Sequence, residues 1–155
     1  TMRQGSMDTT LSGQLTSEGH ILAQRVYYED TDFSGFVYHA RYLHFFERGR
    51  TDYIRLLGVS QGALRADKDP AQAVAFVVRR MEIDFKSPAR MDDVLAIVTR
   101  PVELRGARMQ LDQLICRKGE ALAAAQVTVA VVNGWGRARR LPEELATKFR
   151  LGSGV

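Results

Sequence analysis

Two periodicities divide the chain. From about His39 to Leu57, Leu43, Phe46, Gly49, Tyr53 and Leu57 recur at three- and four-residue spacing. Arg41, His44, Arg48, Thr51, Asp52 and Arg55 fall on a second face, so a long amphipathic helix is predicted. Gly58 suits the left-handed residue that closes such a helix. Elsewhere the period is two. Val77, Met81, Ile83 and Phe85 alternate with Arg80, Glu82 and Asp84, and Val127, Val129 and Val131 with Gln126, Thr128 and Ala130. An apolar run from Ile21 to Tyr28 and strands over 94–102, 108–116 and 122–132 complete the set.

Breaks separate these elements. Lys86-Ser87-Pro88-Ala89-Arg90 predicts a bulge or bend, and Arg105-Gly106 and Lys118-Gly119 predict turns. Asn133-Gly134-Trp135-Gly136 ends the strands, and Pro142 to Phe149 suggests a short last helix with proline in its first turn. Gln61 to Ala71 is a polar connector with room for a helical turn around Ala63–Ala66. The order is strand, long helix, then four strands joined mostly by hairpins. An apolar helix stripe and one bent antiparallel sheet can bury each other, which predicts an α+β fold with the helix on the concave side. Its open edge strands would be hidden by pairing two chains, so a homodimer is expected, with a homotetramer the alternative.

Composition narrows the class. A chain of 155 residues with 45% apolar content supports one domain, placed at residues 20–150 between tails at 1–19 and 151–155. The first of these is expected to be disordered, and Gly5-Ser6-Met7 reads as a cloning remnant. The single cysteine excludes an internal disulfide, and no apolar run is long enough for a membrane span. A cytoplasmic location is the default expectation. A net charge of +4 allows an anionic ligand but does not require one.

Candidate chemistry gathers before the helix. The acidic turn Glu29-Asp30-Thr31-Asp32 and the break Phe33-Ser34-Gly35 lead into Val37-Tyr38-His39-Ala40. No Ser, Thr, Asp or Asn stands in the capping place, so unpartnered amides would face a carboxylate and could hold a developing negative oxygen. A plain turn, with water or Ser34 capping the helix, explains the same residues. His39 and His44 lie five apart, about 140° around a helix, and neither CxxC nor HExxH occurs, so no metal site is expected. The arginines lack interleaved aromatics, which argues against nucleic acid.

The run from Arg25-Val26 through Tyr28-Glu29-Asp30-Thr31-Asp32-Phe33-Ser34-Gly35-Phe36-Val37-Tyr38-His39-Ala40-Arg41-Tyr42 resembles the signature of the 4-hydroxybenzoyl-CoA thioesterase family, in its YbgC-like branch. Ser87-Pro88-Ala89-Arg90-Met91-Asp92-Asp93 resembles that family's segment after the second strand, and the likeness spans about residues 20–141. The resemblance implies a hotdog fold, a bent five-stranded antiparallel sheet wrapped around one long helix. It also implies hydrolysis of an acyl-CoA with a short-chain or aromatic acyl group.

The family's catalytic carboxylate maps to Asp32, its oxyanion-holding amide to His39, and its Tyr-His pair to Tyr38 and His39. Gly35 and Phe36 would touch the acyl group, Phe36 standing where a smaller aliphatic residue is common. A basic rim for the phosphates of coenzyme A would draw on Lys86, Ser87, Arg90, Arg137 and Arg139, with Arg140 beside them. No cofactor is expected, coenzyme A being part of the substrate, and an acyl carrier protein is an alternative carrier. Asp32 could attack the thioester or deprotonate a water, and the residues leave both open. Asp30 is read as a turn or capping residue. A non-catalytic acyl-binding or envelope-associated scaffold is the competing function.

Overall fold

The computed structural model describes residues 11–58 and 68–152. The helical turn expected around Ala63–Ala66 lies outside these. The strands are β1 (Gln14–Thr16), β2 (Gly19–Arg25), β3 (Ala75–Phe85), β4 (Val94–Arg105), β5 (Arg108–Arg117) and β6 (Glu120–Val132). A 3-10 turn covers Tyr28–Asp30, and the helices are α1 (His39–Leu56) and α2 (Glu143–Gly152). The strands form one sheet in the order β1-β2-β4-β5-β6-β3, and every neighbouring pair is antiparallel.

The hotdog architecture is as expected, with three differences. The described sheet has six strands rather than five, because Gln14–Thr16, in the stretch read as tail, pairs with β2. The first long strand ends at Arg25, not Tyr28, and the chain then turns through Tyr28–Asp30. The last helix runs to Gly152, and Pro142 stands just outside it. The Pro142 carbonyl accepts from the N–H groups of Leu145 and Ala146, a role that needs no amide on proline itself.

Helix α1 crosses the concave face on β1, β2 and β4. Its buried face is Tyr42, Phe45, Phe46, Gly49, Tyr53 and Ile54. Leu43 and Leu57, assigned to that stripe from spacing, are exposed and half-buried respectively. The stripe is therefore rotated toward the larger rings, which fill the trough better than a leucine would. Each fully buried phenylalanine contributes roughly 2–3 kcal/mol through burial alone. Gly49 marks the closest approach: a Cβ there would lie 2.7 Å from Ile97 Cγ2 and 2.9 Å from Thr99 Oγ1. Helix α2 closes the far end, with the Phe149 ring centroid 6.0 Å from Tyr53 and 6.3 Å from Phe76.

The sheet's two edges differ. β1 offers only three residues, whereas β3 offers eleven and leaves Val77, Val78 and Phe85 between 42% and 53% exposed. A long edge carrying apolar side chains is the kind that a second chain covers.

Candidate active site

The loop between β2 and α1 is a small hairpin built from backbone bonds. Asp32 N–H donates to the Phe36 carbonyl at 2.7 Å, and Gly35 N–H to the Asp32 carbonyl at 3.0 Å. Thr31 bridges Val37, and Gly35 takes a φ of +84°, which glycine adopts without strain. Val37 N–H then donates to Ala89, and Phe36 bridges Arg90, so the loop is fixed to the segment after β3.

This turn separates the two acidic residues. Asp30 is buried: its Oδ2 accepts the Tyr27 N–H at 2.9 Å, and its Oδ1 forms an ion pair with Arg41 Nε at 3.2 Å. That is the capping role expected for it. Asp32 is exposed. Its Oδ1 accepts the N–H groups of Ser34 at 2.8 Å and Phe36 at 3.3 Å. Among the described residues no hydrogen bond or ion pair engages Asp32 Oδ2. One oxygen is held by the hairpin, and the other has no protein partner among the described residues.

The helix start also matches its expectation. Tyr38 is the N-cap residue, and no side chain caps the first turn of α1, so Ser34 does not. His39 is exposed, its ring edge-on to Phe85 at 6.4 Å, while Tyr38 is half-buried under the Arg41 guanidinium. Beside this turn lies a cleft of about 250 Å³. Val37, His39 and Tyr42 wall one side, and Phe85 with Lys86, Ser87 and Pro88 the other. Asp32 is not among the wall residues; it stands on the hairpin that delivers Val37 to it.

Tyr42 and Asp93 hold the far wall. Tyr42 Oη accepts the Ala89 N–H at 3.0 Å, and burial pushes this phenol above its ordinary pKa, the amide offsetting only part of that. The Asp93 carboxylate accepts from Arg90 N–H at 2.8 Å and from Arg117 at 2.7 Å. Burial alone would raise the Asp93 pKa, but these donors outweigh it and hold the group below the usual carboxylate range. Sequence reasoning did not single out Tyr42 or Phe85. Phe85 was one apolar position in an alternating strand and Tyr42 only the last residue of the signature run, and their meeting joins residues 43 positions apart.

The expected basic rim divides. Lys86, Ser87 and Arg90 sit at the Phe85 end of β3, with Arg90 over the Phe36 ring at 5.1 Å. Arg137 and Arg139 follow β6, whose Val132 pairs with Ala75 at the opposite end of β3. Ten strand steps separate the groups, about 33 Å within one chain. Arg139 is also engaged, donating to the Gln72 carbonyl at 2.7 Å. Among the described residues no group of three or more His, Cys, Asp or Glu is placed to hold a metal, and no helix is long and apolar enough to cross a membrane.

Comparison with known proteins agrees with this geometry. Residues 34–124 match the family model described as the thioesterase superfamily. The chain is 41% identical over 136 residues to the acyl-CoA thioesterase YbgC of Haemophilus influenzae, covering 87% of this chain and 97% of that protein. The crystal structure of a probable thioesterase from Bartonella henselae is 46% identical, with a TM-score of 0.75 over 80% of this chain and 99% of that one. A thioesterase from Thermus thermophilus, crystallised with coenzyme A and zinc, is 25% identical, with a TM-score of 0.73 over 90% of this chain and 99% of that one. With a bent sheet around α1, an uncapped helix start and a matching family model over more than half its length, the chain belongs to the thioesterase superfamily.

Proposed function

We propose that the protein hydrolyses acyl-CoA thioesters, using Asp32 as the reacting carboxylate and the His39 N–H as the oxyanion donor. The observation that carries this reading is the half-engaged state of Asp32. Backbone amides hold Oδ1, Oδ2 has no partner among the described residues, and the loop leads directly into the uncapped end of α1. The names of its curated relatives supply the substrate class.

The chemistry needs little more. A thioester leaves as a thiolate, and an ordinary thiol has a pKa of about 8.5, so strong acid assistance is unnecessary. Asp32 Oδ2 can attack the carbonyl carbon, forming a mixed anhydride and releasing the thiolate of coenzyme A; water then cleaves the anhydride. Alternatively it removes a proton from a water that attacks instead. Either route puts negative charge on the carbonyl oxygen, where the amides at the start of α1 stabilise it. Losing such a donor typically costs about 3 kcal/mol. Tyr38, Gly35 and Phe36 shape this entrance, Tyr38 through its contact with Arg41 and Phe36 through its contact with Arg90.

The site is completed by a second copy of the chain. Antiparallel pairing of two β3 edges about a two-fold axis brings the partner's Ala75 end beside this chain's Phe85–Lys86 end. Arg137 and Arg139 of one copy then approach Lys86, Ser87 and Arg90 of the other, and the divided rim becomes one anion-binding surface for the coenzyme A phosphates. The partly exposed Val77 and Val78 on that edge support this arrangement.

The test is thiol release from a panel of acyl-CoAs, from acetyl to decanoyl and including benzoyl, by the wild-type chain and by Asp32→Ala. We expect turnover on at least one member and a loss of about a hundredfold or more in the variant. Near-normal turnover by Asp32→Ala removes the assignment. Tight acyl-CoA binding without any thiol release favours the non-catalytic reading.

A further inference from the structure

We infer that Phe85 sets the upper limit on acyl length in the cleft beside α1. This rests on the hydrolytic reading above for the identity of the ligand, but not for the shape of the cleft.

Phe85 is the last residue of the edge strand β3, and its position in the alternation points it toward the concave side. Helix α1 does not cover it there, and it is 53% exposed. The ring meets Tyr42 edge-on at 5.4 Å and 69°, and His39 edge-on at 6.4 Å and 79°. It is thus wedged against the first turn of α1 from outside. Its contacts determine its direction even though its surface is open.

Behind this ring the cleft cannot deepen. Val37 is 5% exposed, Tyr42 3% and Ala89 0%, and the Tyr42 hydroxyl is bonded to the Ala89 backbone. Phe45, fully buried, meets Tyr42 edge-on at 6.4 Å behind that. An acyl chain entering beside the His39 amide therefore meets a closed aromatic back wall, and continuing sideways along the concave face of β3 means passing Phe85. Beyond it on the same face of β3 stand the half-buried Ile83 and Met81, packed against the core. A volume of about 250 Å³, open to one side, suits a few methylenes or one flat ring better than a long chain.

Removing the ring should lengthen the cleft along that face toward Ile83. Thiol release is measured for Phe85→Ala and Phe85→Trp across the same acyl-CoA panel. Binding of the non-hydrolysable thioethers S-butyl-CoA and S-octyl-CoA is measured in parallel by calorimetry. For Phe85→Ala we expect the octanoyl-to-butyryl ratio of kcat/KM, and the S-octyl to S-butyl affinity ratio, to rise about tenfold, since one buried methylene shifts discrimination by roughly that much or more. Phe85→Trp should lower both ratios and lose benzoyl-CoA first. If one variant fails to fold, the other still decides. Affinity ratios unchanged from wild type in the folded variants overturn the assignment of Phe85 whatever the hydrolysis data show. Shifted affinity ratios with no thiol release by any chain keep Phe85 as the length limit and remove the hydrolytic reading instead.

Discussion

The two ends of α1 are built on opposite terms. In its middle and toward its C-terminal end the helix is sealed to the sheet and its polar neighbours are mostly satisfied. Gln113 Nε2 donates to the Phe46 carbonyl at 2.9 Å and to Thr99 Oγ1 at 2.8 Å, and its Oε1 accepts from Arg50 at 2.9 Å. At the N-terminal end the amides have no side-chain cap, His39 is exposed, and Asp32 keeps one oxygen free. A buried polar group without a partner costs about 1–3 kcal/mol, and around the middle of α1 Gln113 avoids that cost while the buried Tyr53 hydroxyl has no partner among the described residues. At the N-terminal end the open groups face solvent instead. The same contrast recurs within four residues of chain, between Asp30 and Asp32.

That pair gives the largest expected effect. Asp32→Asn keeps an acceptor at Oδ1 for the Ser34 and Phe36 amides, so the hairpin should persist while the reactive carboxylate is lost. We expect thiol release to fall about a hundredfold or more, with the unfolding midpoint within a degree or two of wild type. Asp30→Asn should do the reverse. It removes the charge facing Arg41 and weakens the cap on Tyr27, costing about 1–3 kcal/mol of stability by denaturant unfolding. Turnover per folded molecule should stay within about fivefold. Identical phenotypes for the two variants would erase the distinction.

The sealed middle is tested by Gly49→Ala. Alanine is the better helix former by about 1 kcal/mol, so on propensity alone the variant should be more stable. The structure predicts otherwise, because the new Cβ would lie 2.7 Å from Ile97 Cγ2 and 3.2 Å from Gln113 Nε2. Relieving such overlap costs about 1–3 kcal/mol, and we expect a net loss of about 1–2 kcal/mol with little change in turnover. A gain in stability would mean that helix and sheet are not in such close contact.

The unfinished end was easier to read from sequence than the sealed one. The acidic turn, the glycine break and the missing cap are neighbours in the chain, so local chemistry points to them directly. Asp30 and Asp32 could be ranked because the family resemblance maps its carboxylate onto Asp32, which leaves Asp30 the turn or capping role. Long-range packing was not legible. Tyr42 and Leu43 are adjacent, and a period of 3.6 residues accommodates either on the inner face. The contacts that bury the ring and leave the leucine out come from distant residues, Ala89 and Phe85 among them. β1 has too few residues to show any alternation. The inward-facing Thr99 and Gln113 break the apolar alternation that marks a core face, so nothing in the sequence announced them as buried. The placement of the basic residues was not legible for a related reason: Lys86 and Arg90 on one side and Arg137 and Arg139 on the other lie at opposite ends of β3, a separation that depends on the pairing of β3 with β6.

The smallest expected effect is on the pH dependence of stability, and it comes from His20. This residue is fully buried on β2, and its Nε2 lies 2.6 Å from the Ser12 carbonyl. A carbonyl only accepts, so Nε2 carries the proton and the neutral ring leaves Nδ1 as an acceptor, with no partner among the described residues. Tyr53 packs 5.9 Å away with its ring tilted, and of the charged groups nearby only Asp52 favours the protonated form. Burial outweighs both the Ser12 carbonyl and Asp52, holding the imidazole below its ordinary value of 6.5. The unfolded chain therefore takes up a proton near pH 6.5, while the folded chain refuses it until the pH is lower. Stability from this group is complete above about pH 6.5 and declines as the pH falls toward the folded value, by at most about 1.4 kcal/mol per pH unit. The decline should appear in unfolding midpoints between pH 7.5 and 5. It should be shallower in His20→Gln, whose amide can still donate to Ser12 but cannot titrate. Equal slopes in the two proteins would show that carboxylates, not His20, govern acid sensitivity.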